Sequence, residues 1–293
     1  MTDSEGRLRV IIVGAGIAGL STSIAITRVS GLQNVDIQLF EQATRLEEIG
    51  ASIALSPNVE LSHFNTSKHT KWGPRDNFFA SRLGKNQYTT VGAYEDTRSA
   101  DEVEKSISWN DTGDVHYLQE RFKYWNPVVK ALTEFTPSTR LFPNFAGHPL
   151  STWVLGSRVT LVGDAAHTHG GAFAAGGSLA LDDAFALALS LKHVFAASPS
   201  GPEGFTERKI EKALHIYDAV RRPHAARLQD IVQGLMRKKS PSFTTPEEED
   251  AALVFRMNNR PSTVWLTEHD VERAFQQVIG STGVWTEDDG PKE

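Results

Sequence analysis

The stretch Arg158–Ala184, RVTLVGDAAHTHGGAFAAGGSLALDDA, carries the clearest structural signal in the chain. It begins with the apolar run Val159–Val162, which predicts a strand. The strand ends at Gly163-Asp164, and a loop rich in glycine and alanine leads into a helix predicted over 178–197. A strand, a glycine turn and a helix N-terminus together offer free backbone N–H groups to an anionic or polar ligand. Asp164 lies where open α/β sheets usually bind their ligands.

A second glycine-rich turn lies near the N-terminus, between two predicted strands. The run Val10–Val13 is apolar and mostly β-branched, which predicts a strand buried on both faces of a parallel sheet. The sequence GAGIAG follows at 14–19. A helix is predicted over 20–29 and a second strand over 35–40, and these complete a βαβ unit.

The glycines of this turn form a GxGxxG motif, which predicts dinucleotide binding. Gly14 allows the tight turn, Gly16 lets the backbone approach a pyrophosphate, and Gly19 lets helix and strand pack closely. Glu41 follows Gly19 by 22 residues, where a carboxylate can bind an adenosine ribose. Because a carboxylate repels the 2′-phosphate of NADP, the motif predicts FAD or NAD. A tight turn without a ligand stays open as the alternative.

The composition is that of a globular protein, and it argues against several functional classes. Of the 293 residues, 40% are hydrophobic and 23% are charged, which fits about two domains. The chain has no cysteine, which excludes structural disulfides, cysteine-ligated metals and thiol catalysis. A dispersed net charge of −6 argues against a nucleic-acid partner. We expect no signal peptide and no membrane span, and a cytoplasmic location.

The region 59–150 differs from the flanking regions in being rich in aromatic residues. Phe78–Leu83 and Gln87–Tyr94 predict an antiparallel hairpin. A short helix is predicted over 99–106, and Asn126-Pro127 predicts the start of a helix that ends at Phe135. The aromatic side chains indicate either a pocket for an aromatic substrate or ordinary core packing.

The C-terminal third is predicted to be mainly helical. A helix over 206–238 is expected to be interrupted or kinked near Pro223. The segment 240–250, with two prolines and an acidic run, predicts a solvated linker. One or two helices are predicted over 251–279.

With both glycine motifs in view, the chain resembles the FAD-dependent aromatic hydroxylases of the para-hydroxybenzoate and salicylate hydroxylase type, with a shortened middle region. The resemblance lies in four segments: the GxGxxG turn with Glu41, EEIGASIALSPN (47–58), the long segment 149–188 around Gly163-Asp164, and the helix carrying Tyr217, Arg221, Arg222 and Pro223. A family motif with an Asp-Gly pair, normally in the middle of the chain, has no match here.

The resemblance implies an α/β fold. It implies a Rossmann-like, discontinuous FAD-binding domain, an inserted and shortened β-rich substrate domain, and a C-terminal helical region. We therefore predict FAD-binding parts at 1–58 and 151–197, a substrate domain at 59–150, and C-terminal helices and tail at 198–293.

The resemblance also implies roles for individual residues toward FAD. Glu41 would bind the adenosine ribose, and Gly14, Gly16 and Gly19 the pyrophosphate. Asp164 would bind the ribityl or phosphate portion. The flavin end would lie near Gly176, Gly177 and, on the backbone side, Ala51. His167 and His169 form an i,i+2 pair in a loop with no nearby third ligand, so we predict structural roles for them and no metal.

The implied activity is an FAD-dependent monooxygenase that uses NADPH or NADH and O2 to hydroxylate a small phenolic or aromatic-acid molecule. A tailoring step in secondary metabolism is as compatible with the sequence as breakdown of an aromatic acid. His116 and Tyr94 are weak candidates for proton transfer, because they fall in the presumed substrate region and can titrate. The oligomeric state is open.

Two other functions remain compatible with the sequence. The absent middle motif allows a catalytically impaired remnant or accessory protein that keeps the nucleotide-binding ends. The GxGxxG turn with Glu41 also allows an NAD-binding dehydrogenase, although no tyrosine is followed by lysine four residues later.

Overall fold

The computed structural model describes residues 7–45, 53–55, 68–72, 76–84, 87–94, 102, 112–141, 146–196, 204–236, 243–259 and 262–281. The chain forms two compact units. Unit 1 comprises Met1–Arg45, Asn144–Lys238 and Ser262–Glu293, and unit 2 comprises Leu46–Pro143 and Lys239–Pro261. The functional domain boundaries that the sequence suggests at 58, 150 and 197 stay predictions.

The described elements are short strands and helices of very different lengths. In chain order the strands are β1 (Leu8–Val13), β2 (Val35–Phe40), β3 (Ile53–Leu55), β4 (Lys68–Trp72), β5 (Asn77–Gly84), β6 (Gln87–Ala93), β7 (Thr112–Gly113), β8 (Thr139–Arg140), β9 (Val154–Leu155) and β10 (Val159–Thr160). The helices are α1 (Ile17–Arg28), α2 (Val115–Phe122), α3 (Pro127–Glu134), α4 (Asp164–His167), α5 (Gly176–Phe195), α6 (Glu207–Met236), α7 (Pro246–Asn258), α8 (Val264–Thr267) and α9 (Val271–Ser281).

Unit 1 opens with the predicted βαβ unit. Strands β1 and β2 pair in parallel, from Leu8 opposite Val35 to Val13 opposite Phe40, and α1 connects them. This connection places the glycine turn at the carboxyl end of β1, which is the usual ligand-binding edge of an α/β sheet.

The prediction that the first strand is buried on both faces is wrong. Ile12 is buried, whereas Ile11 and Val13 are 59% and 87% exposed. Among the described residues β1 pairs only with β2, and the face bearing Val10 and Ile12 is the one that meets the core. β-branched residues fit a half-buried strand as well as a buried one, so the run alone did not distinguish the two.

The strand predicted at Val159–Val162 is also shorter than expected. Only Val159–Thr160 is a strand, and it pairs antiparallel with Val154–Leu155. Gly156, with a φ of +63°, lies in the turn between the two strands. The segment before Asp164 is therefore the second arm of a small hairpin, and its continuation is fixed by contacts with helices.

The core of unit 1 lies between its long helices. Helix α1 packs on α5, α5 packs on α6, and α9 packs on both α5 and α6. Apolar side chains at helical spacing on these faces form one buried cluster, whose largest members are Trp153, Tyr217, Ile26, Phe195, Phe275 and Leu214. This helical layer supports the turns that carry the site.

Unit 2 contains a four-stranded antiparallel sheet in the order β3-β6-β5-β4. The predicted hairpin is confirmed as β5 and β6. Its buried core combines Phe78 and Ala80 of the sheet with Phe122, Val129 and Leu132 of two helices. A Cβ on Gly92 would meet the Phe122 ring at 2.6 Å, so glycine lets helix and sheet approach closely.

The helix predicted after Asn126-Pro127 is confirmed as α3. The Asn126 side chain accepts a hydrogen bond from the backbone N–H of Val129, and Pro127 occupies the first turn. The helix predicted over 99–106 lies, apart from residue 102, outside the described residues.

Helix α6 runs through Pro223 without the predicted interruption, and a kink there stays a prediction. The prediction of a linker over 240–250 is wrong for part of its length. The second half of the predicted linker 240–250 belongs to α7, because Thr245 and Glu248 form a capping box at its start. A capping box with proline after the cap is a helix-start signal, which the acidic composition concealed. Within the described residues, no helix combines the length and the hydropathy required to cross a membrane.

Candidate functional site

The first glycine turn is shaped by close packing below and open space above. Gly14 has a φ of +99°, which favours glycine. A Cβ on Gly19 would lie 1.9 Å from the carbonyl oxygen of Gly14, so only glycine lets α1 start so close to β1. A Cβ on Gly16 would meet nothing within 4 Å. The turn therefore has an open side at Gly16, where no side chain caps the helix.

Glu41, just after β2, points back to this turn. Its carboxylate accepts hydrogen bonds from the backbone N–H of Ala15 at 2.7 Å and from that of Ala43 at 2.8 Å. These two hydrogen bonds lower the pKa of the Glu41 carboxyl below its usual value. An ionised, exposed carboxylate therefore lies beside the N-terminus of α1, with lone pairs that remain available to hydroxyl donors.

The second glycine turn packs directly against the first. Gly163 has a φ of +62°, and a Cβ on it would come within 2.6 Å of the Ala18 side chain. A Cβ on Gly177 would lie 3.5 Å from Ile17. Both turns therefore meet at the first turn of α1, inside unit 1. Asp164, the first residue of α4, is exposed there.

The loop between α4 and α5 has an unusual backbone. Gly170, Gly171, Phe173 and Ala174 all have positive φ angles, which the two non-glycine residues adopt at a cost of about 1–3 kcal/mol each. Helix α5 then starts at Gly176 without a side-chain cap and without an acidic residue in its first turn. Its first N–H groups have no intrahelical acceptor and suit a polar or anionic ligand.

A buried charged cluster lies beneath the second turn. The Asp183 carboxylate on α5 accepts hydrogen bonds from the Gly163 backbone N–H at 2.9 Å and from Arg221 Nε at 2.9 Å. His167 Nε2 lies 2.6 Å from the same carboxylate. The side chains of Asp183, His167 and Arg221 are fully buried. Burial alone raises the pKa of Asp183, but His167, Arg221 and the Gly163 N–H together lower it.

Helix α6 braces the same segment at two further points. The Tyr217 hydroxyl donates to the carbonyl of Leu161 at 2.9 Å, and burial raises the pKa of Tyr217 well above its usual value. Asp218 accepts a hydrogen bond from the Trp153 backbone N–H at 2.7 Å and pairs with Arg222. The sequence resemblance pointed to this helix, but its role as a support for the second turn becomes visible only in the structure.

Two glutamines of α6 hold the start of the unusual loop. Gln229 Nε2 lies 3.4 Å from the carbonyls of Gly147 and Thr168, and Gln233 donates to Ala146 at 2.8 Å. These contacts fix the backbone on both sides of an isolated bridge between Ala146 and His169. The loop therefore begins from a rigid base.

The two histidines after Asp164 have structural contacts, as predicted. His167 pairs with Asp183, and His169 Nδ1 lies 3.0 Å from the carbonyl of His167, to which it donates. Burial lowers the pKa of His169, which keeps this ring neutral. Among the residues the structure describes, no group of three potential ligands is arranged to hold a metal ion.

The remaining predicted site residues are not among the described residues of unit 1. Tyr94 and His116 belong to unit 2, where the Tyr94 ring packs against Tyr117 at 5.5 Å and lies under Arg121. The His116 ring is exposed, and its backbone N–H donates to the cap residue Asp114. Ala51 lies outside the described residues. The structure thus brings together Gly14, Gly16, Gly19, Glu41, Asp164, Gly176 and Gly177.

Comparison with known proteins identifies the part of the chain that contains the second turn. Residues 146–230 match the family described as FAD binding domain. This segment is similar to an FAD binding domain. It begins beside the hairpin of β9 and β10 and includes the Gly163-Asp164 turn, the start of α5 and the bracing part of α6.

The relatives are FAD-dependent monooxygenases, which confirms the predicted resemblance. The 6-hydroxynicotinate 3-monooxygenase of Pseudomonas fluorescens is 32% identical over 114 residues, 39% of this chain and 26% of that protein. An FAD-dependent monooxygenase of Claviceps purpurea is 27% identical over 77% of this chain and 40% of its own length. The chain thus matches less than half the length of either relative.

Solved structures show the same fold. A salicylate hydroxylase in complex with its substrate superposes with a TM-score of 0.59 and 16% identity, over 94% of this chain and 98% of that chain. The predicted α/β, Rossmann-like fold is confirmed by this likeness.

FAD is the cofactor of this domain, and the observed geometry fits it. The space above Gly16 leaves room for a pyrophosphate against the backbone. Glu41 presents an ionised carboxylate beside that space, and Asp164 is exposed at the adjoining turn. The uncapped start of α5 supplies further N–H donors. These features lie together on unit 1, as a single extended ligand requires.

Proposed function

We propose that the chain is an FAD-dependent monooxygenase that hydroxylates a small phenolic or aromatic-acid molecule with NADPH or NADH and O2. The observation that carries this proposal is the packing of Gly163 on Ala18, which joins the Gly163-Asp164 turn to the GxGxxG turn. The relatives support the substrate class. Their names specify 6-hydroxynicotinate and salicylate, which are aromatic rings that carry a carboxylate and a hydroxyl group.

The protein's contribution is to bind and orient the cofactor. Gly14, Gly16 and Gly19 would hold the pyrophosphate at the start of α1, and Glu41 the adenosine ribose. Asp164 would hold the ribityl or phosphate portion. Bound FAD supplies the transfer of electrons from NAD(P)H to O2.

At the flavin end the proposal assigns Gly176 and Gly177, where the free N–H groups of α5 would stabilise negative charge. Ala51 stays a proposed backbone contact, and Tyr94 and His116 stay proposed proton-transfer residues. A tailoring hydroxylation in secondary metabolism remains part of the proposal.

A second candidate function is an accessory or catalytically impaired flavoprotein. It is favoured by the exposed face of β1, where Val13 is 87% exposed. The dehydrogenase alternative lacks such support, because the segment 146–230 matches an FAD binding domain.

The proposal is tested by the absorbance spectrum of the purified protein, followed by NADPH and NADH oxidation with candidate phenols and aromatic acids. We expect bound flavin and substrate-stimulated oxidation. Bound flavin without such stimulation would support the accessory candidate, and a protein that neither carries nor binds FAD would refute both.

Asp164→Ala tests the residue assignment. Because Asp164 is exposed, the variant should fold normally but lose bound FAD. Asp230→Ala, at an exposed carboxylate on α6, is the matched control and should keep FAD at the wild-type stoichiometry. Full flavin content in Asp164→Ala would show that this carboxylate does not bind the cofactor.

A further inference from the structure

The Asp183 carboxylate binds both ends of the turn that carries Asp164. Its Oδ2 atom accepts the Gly163 backbone N–H at 2.9 Å, at the start of α4. The same oxygen lies 2.6 Å from Nε2 of His167, at the end of α4. Its Oδ1 atom is held at 2.9 Å by Arg221 Nε. One carboxylate oxygen therefore spans the whole four-residue helix.

This arrangement restricts the turn more than packing alone does. Gly163 already has a φ of +62° and lies against Ala18, so its peptide has little freedom. Hydrogen bonds to a charged acceptor are stronger than those between neutral groups, and Oδ2 makes one to Gly163 and one to His167. Between the two anchored ends, Asp164 is exposed, and its Oδ1 atom would lie 3.8 Å from a Cβ on Gly176, at the start of α5.

We propose that Asp183 is a positioning residue for FAD: by binding Gly163 and His167 together, it fixes the direction of the Asp164 carboxylate toward the cofactor. This inference rests on the proposed function, since it concerns FAD held at Asp164. Asp183 itself is fully buried and touches no ligand. Supporting residues of this kind decide whether a binding group is held in its productive geometry.

Asp218 provides a matched control on the same core. It is also a buried carboxylate that accepts one backbone N–H, from Trp153, and one arginine Nε, from Arg222. It differs in its location, because it holds the hairpin of β9 and β10 and makes no hydrogen bond to α4. Both carboxylates should stabilise the fold, but only Asp183 should position Asp164.

The experiment compares Asp183→Asn with Asp218→Asn in the full chain. FAD affinity is measured by fluorescence titration, and stability of the apoprotein by urea unfolding. We expect Asp183→Asn to raise the Kd for FAD by about tenfold or more, the loss expected from one misdirected charged hydrogen bond. Asp218→Asn should lose less stability, because its arginine partner is only half-buried, while its Kd stays within about twofold of wild type.

Two further measurements separate positioning from stability. At saturating FAD, the visible circular dichroism of the bound flavin should change in Asp183→Asn and stay unchanged in Asp218→Asn. In the apoproteins, amide exchange in the peptide around Gly163 should accelerate only in Asp183→Asn. If Asp183→Asn does not fold, the comparison passes to His167, where His167→Gln keeps a side-chain donor and should bind FAD more tightly than His167→Ala.

The outcomes are distinct for the two proposals. A wild-type protein that does not bind FAD overturns the proposed function and, with it, the role assigned to Asp183. A wild-type protein that binds FAD, with an equal Kd and flavin spectrum in Asp183→Asn, overturns the positioning role alone. Equal losses of affinity in Asp183→Asn and Asp218→Asn also overturn it, because both would then follow stability.

Discussion

The two glycine turns of unit 1 face the same ligand site but are held in place by different forces. The turn at 14–19 is shaped by the absence of side chains: Gly19 fits against Gly14, and its charged partner Glu41 is exposed. The turn at 163–167 is held by a fully buried carboxylate, imidazole and guanidinium. The first turn depends on close packing of glycines and the second on buried charges. Substitutions that change volume should therefore affect the first turn, and those that remove a charge the second.

The largest effect is expected at the buried charges. Arg221→Met leaves Asp183 without its counter-charge in the core, which should cost about 3–5 kcal/mol of unfolding free energy. Arg222→Met, at the half-buried neighbour that pairs with Asp218, should cost about 1 kcal/mol or less. Urea unfolding of both variants measures the difference. Equal losses would show that the second turn does not depend on its buried charges.

The first turn should be disrupted by an added side chain at Gly19. Gly19→Ala places a Cβ 1.9 Å from the Gly14 carbonyl, and we expect a loss of about 1–3 kcal/mol as α1 moves away. Gly16→Ala has open space around it, so its stability should change by less than about 1 kcal/mol. Its FAD affinity should fall, because the new methyl group occupies the pyrophosphate space. Thermal and urea unfolding with an FAD titration test both variants. Unchanged stability in Gly19→Ala would contradict the packing argument.

Acid should weaken unit 1 at a third place, where α6 meets the segment before α9. The His224 and His269 rings stack at 3.7 Å, and burial, with the neighbouring His269, Arg221 and Arg227, lowers the pKa of His224 to about 3. Because that pKa is depressed, the folded state binds fewer protons than the unfolded state below pH 6.5. The contribution of neutral His224 to the free energy of unfolding is fully present above pH 6.5 and is lost as the pH falls toward 3.

Between pH 7 and pH 5 the loss should be on the order of 1 kcal/mol, measured by urea unfolding. His224→Gln removes the titrating group and should flatten this part of the pH profile. A profile of the same slope in the variant would assign the acid sensitivity to other groups.

The smallest effect is expected at Glu41. Glu41→Gln keeps an oxygen acceptor for only one of the N–H groups of Ala15 and Ala43, because the two bond different carboxylate oxygens. The side chain is exposed, so stability should change little. FAD affinity should fall severalfold, because the charge that strengthens a hydrogen bond to the ribose is lost. Fluorescence titration measures it. An unchanged Kd would remove Glu41 from the ribose site.

The sequence was informative about the first turn because its causes are local. Gly14, Gly16, Gly19 and Glu41 follow one another at the spacing that the βαβ geometry requires. The structure places the glycine turn at the end of β1 and the Glu41 carboxylate on the Ala15 N–H. The position of Asp164 could also be predicted, since this residue directly follows a glycine turn. The assignment of these residues to FAD atoms stays a prediction.

The buried charges that support the second turn could not be predicted, because they come from distant parts of the sequence. Asp183 and Arg221 lie on two separate helices, and nothing in their local sequence distinguishes a buried carboxylate from a solvated one. The capping box at Thr245, by contrast, was a local signal that the acidic composition of the segment concealed. The burial of β1 was misjudged because it depends on which elements cover the strand, and that is decided by distant parts of the chain.

The contact between Ala18 and Gly163 also has a consequence for biosynthesis. The two residues are well over a hundred positions apart, so the N-terminal βαβ unit leaves the ribosome long before its helical partner exists. At about 5–20 residues per second, this interval lasts on the order of 10 s. During it, the core face of α1, including Ile26, has no cover from α5, so the nascent chain should bind chaperones. Slow translation upstream of α5 should therefore lower the soluble yield more than slow translation after it.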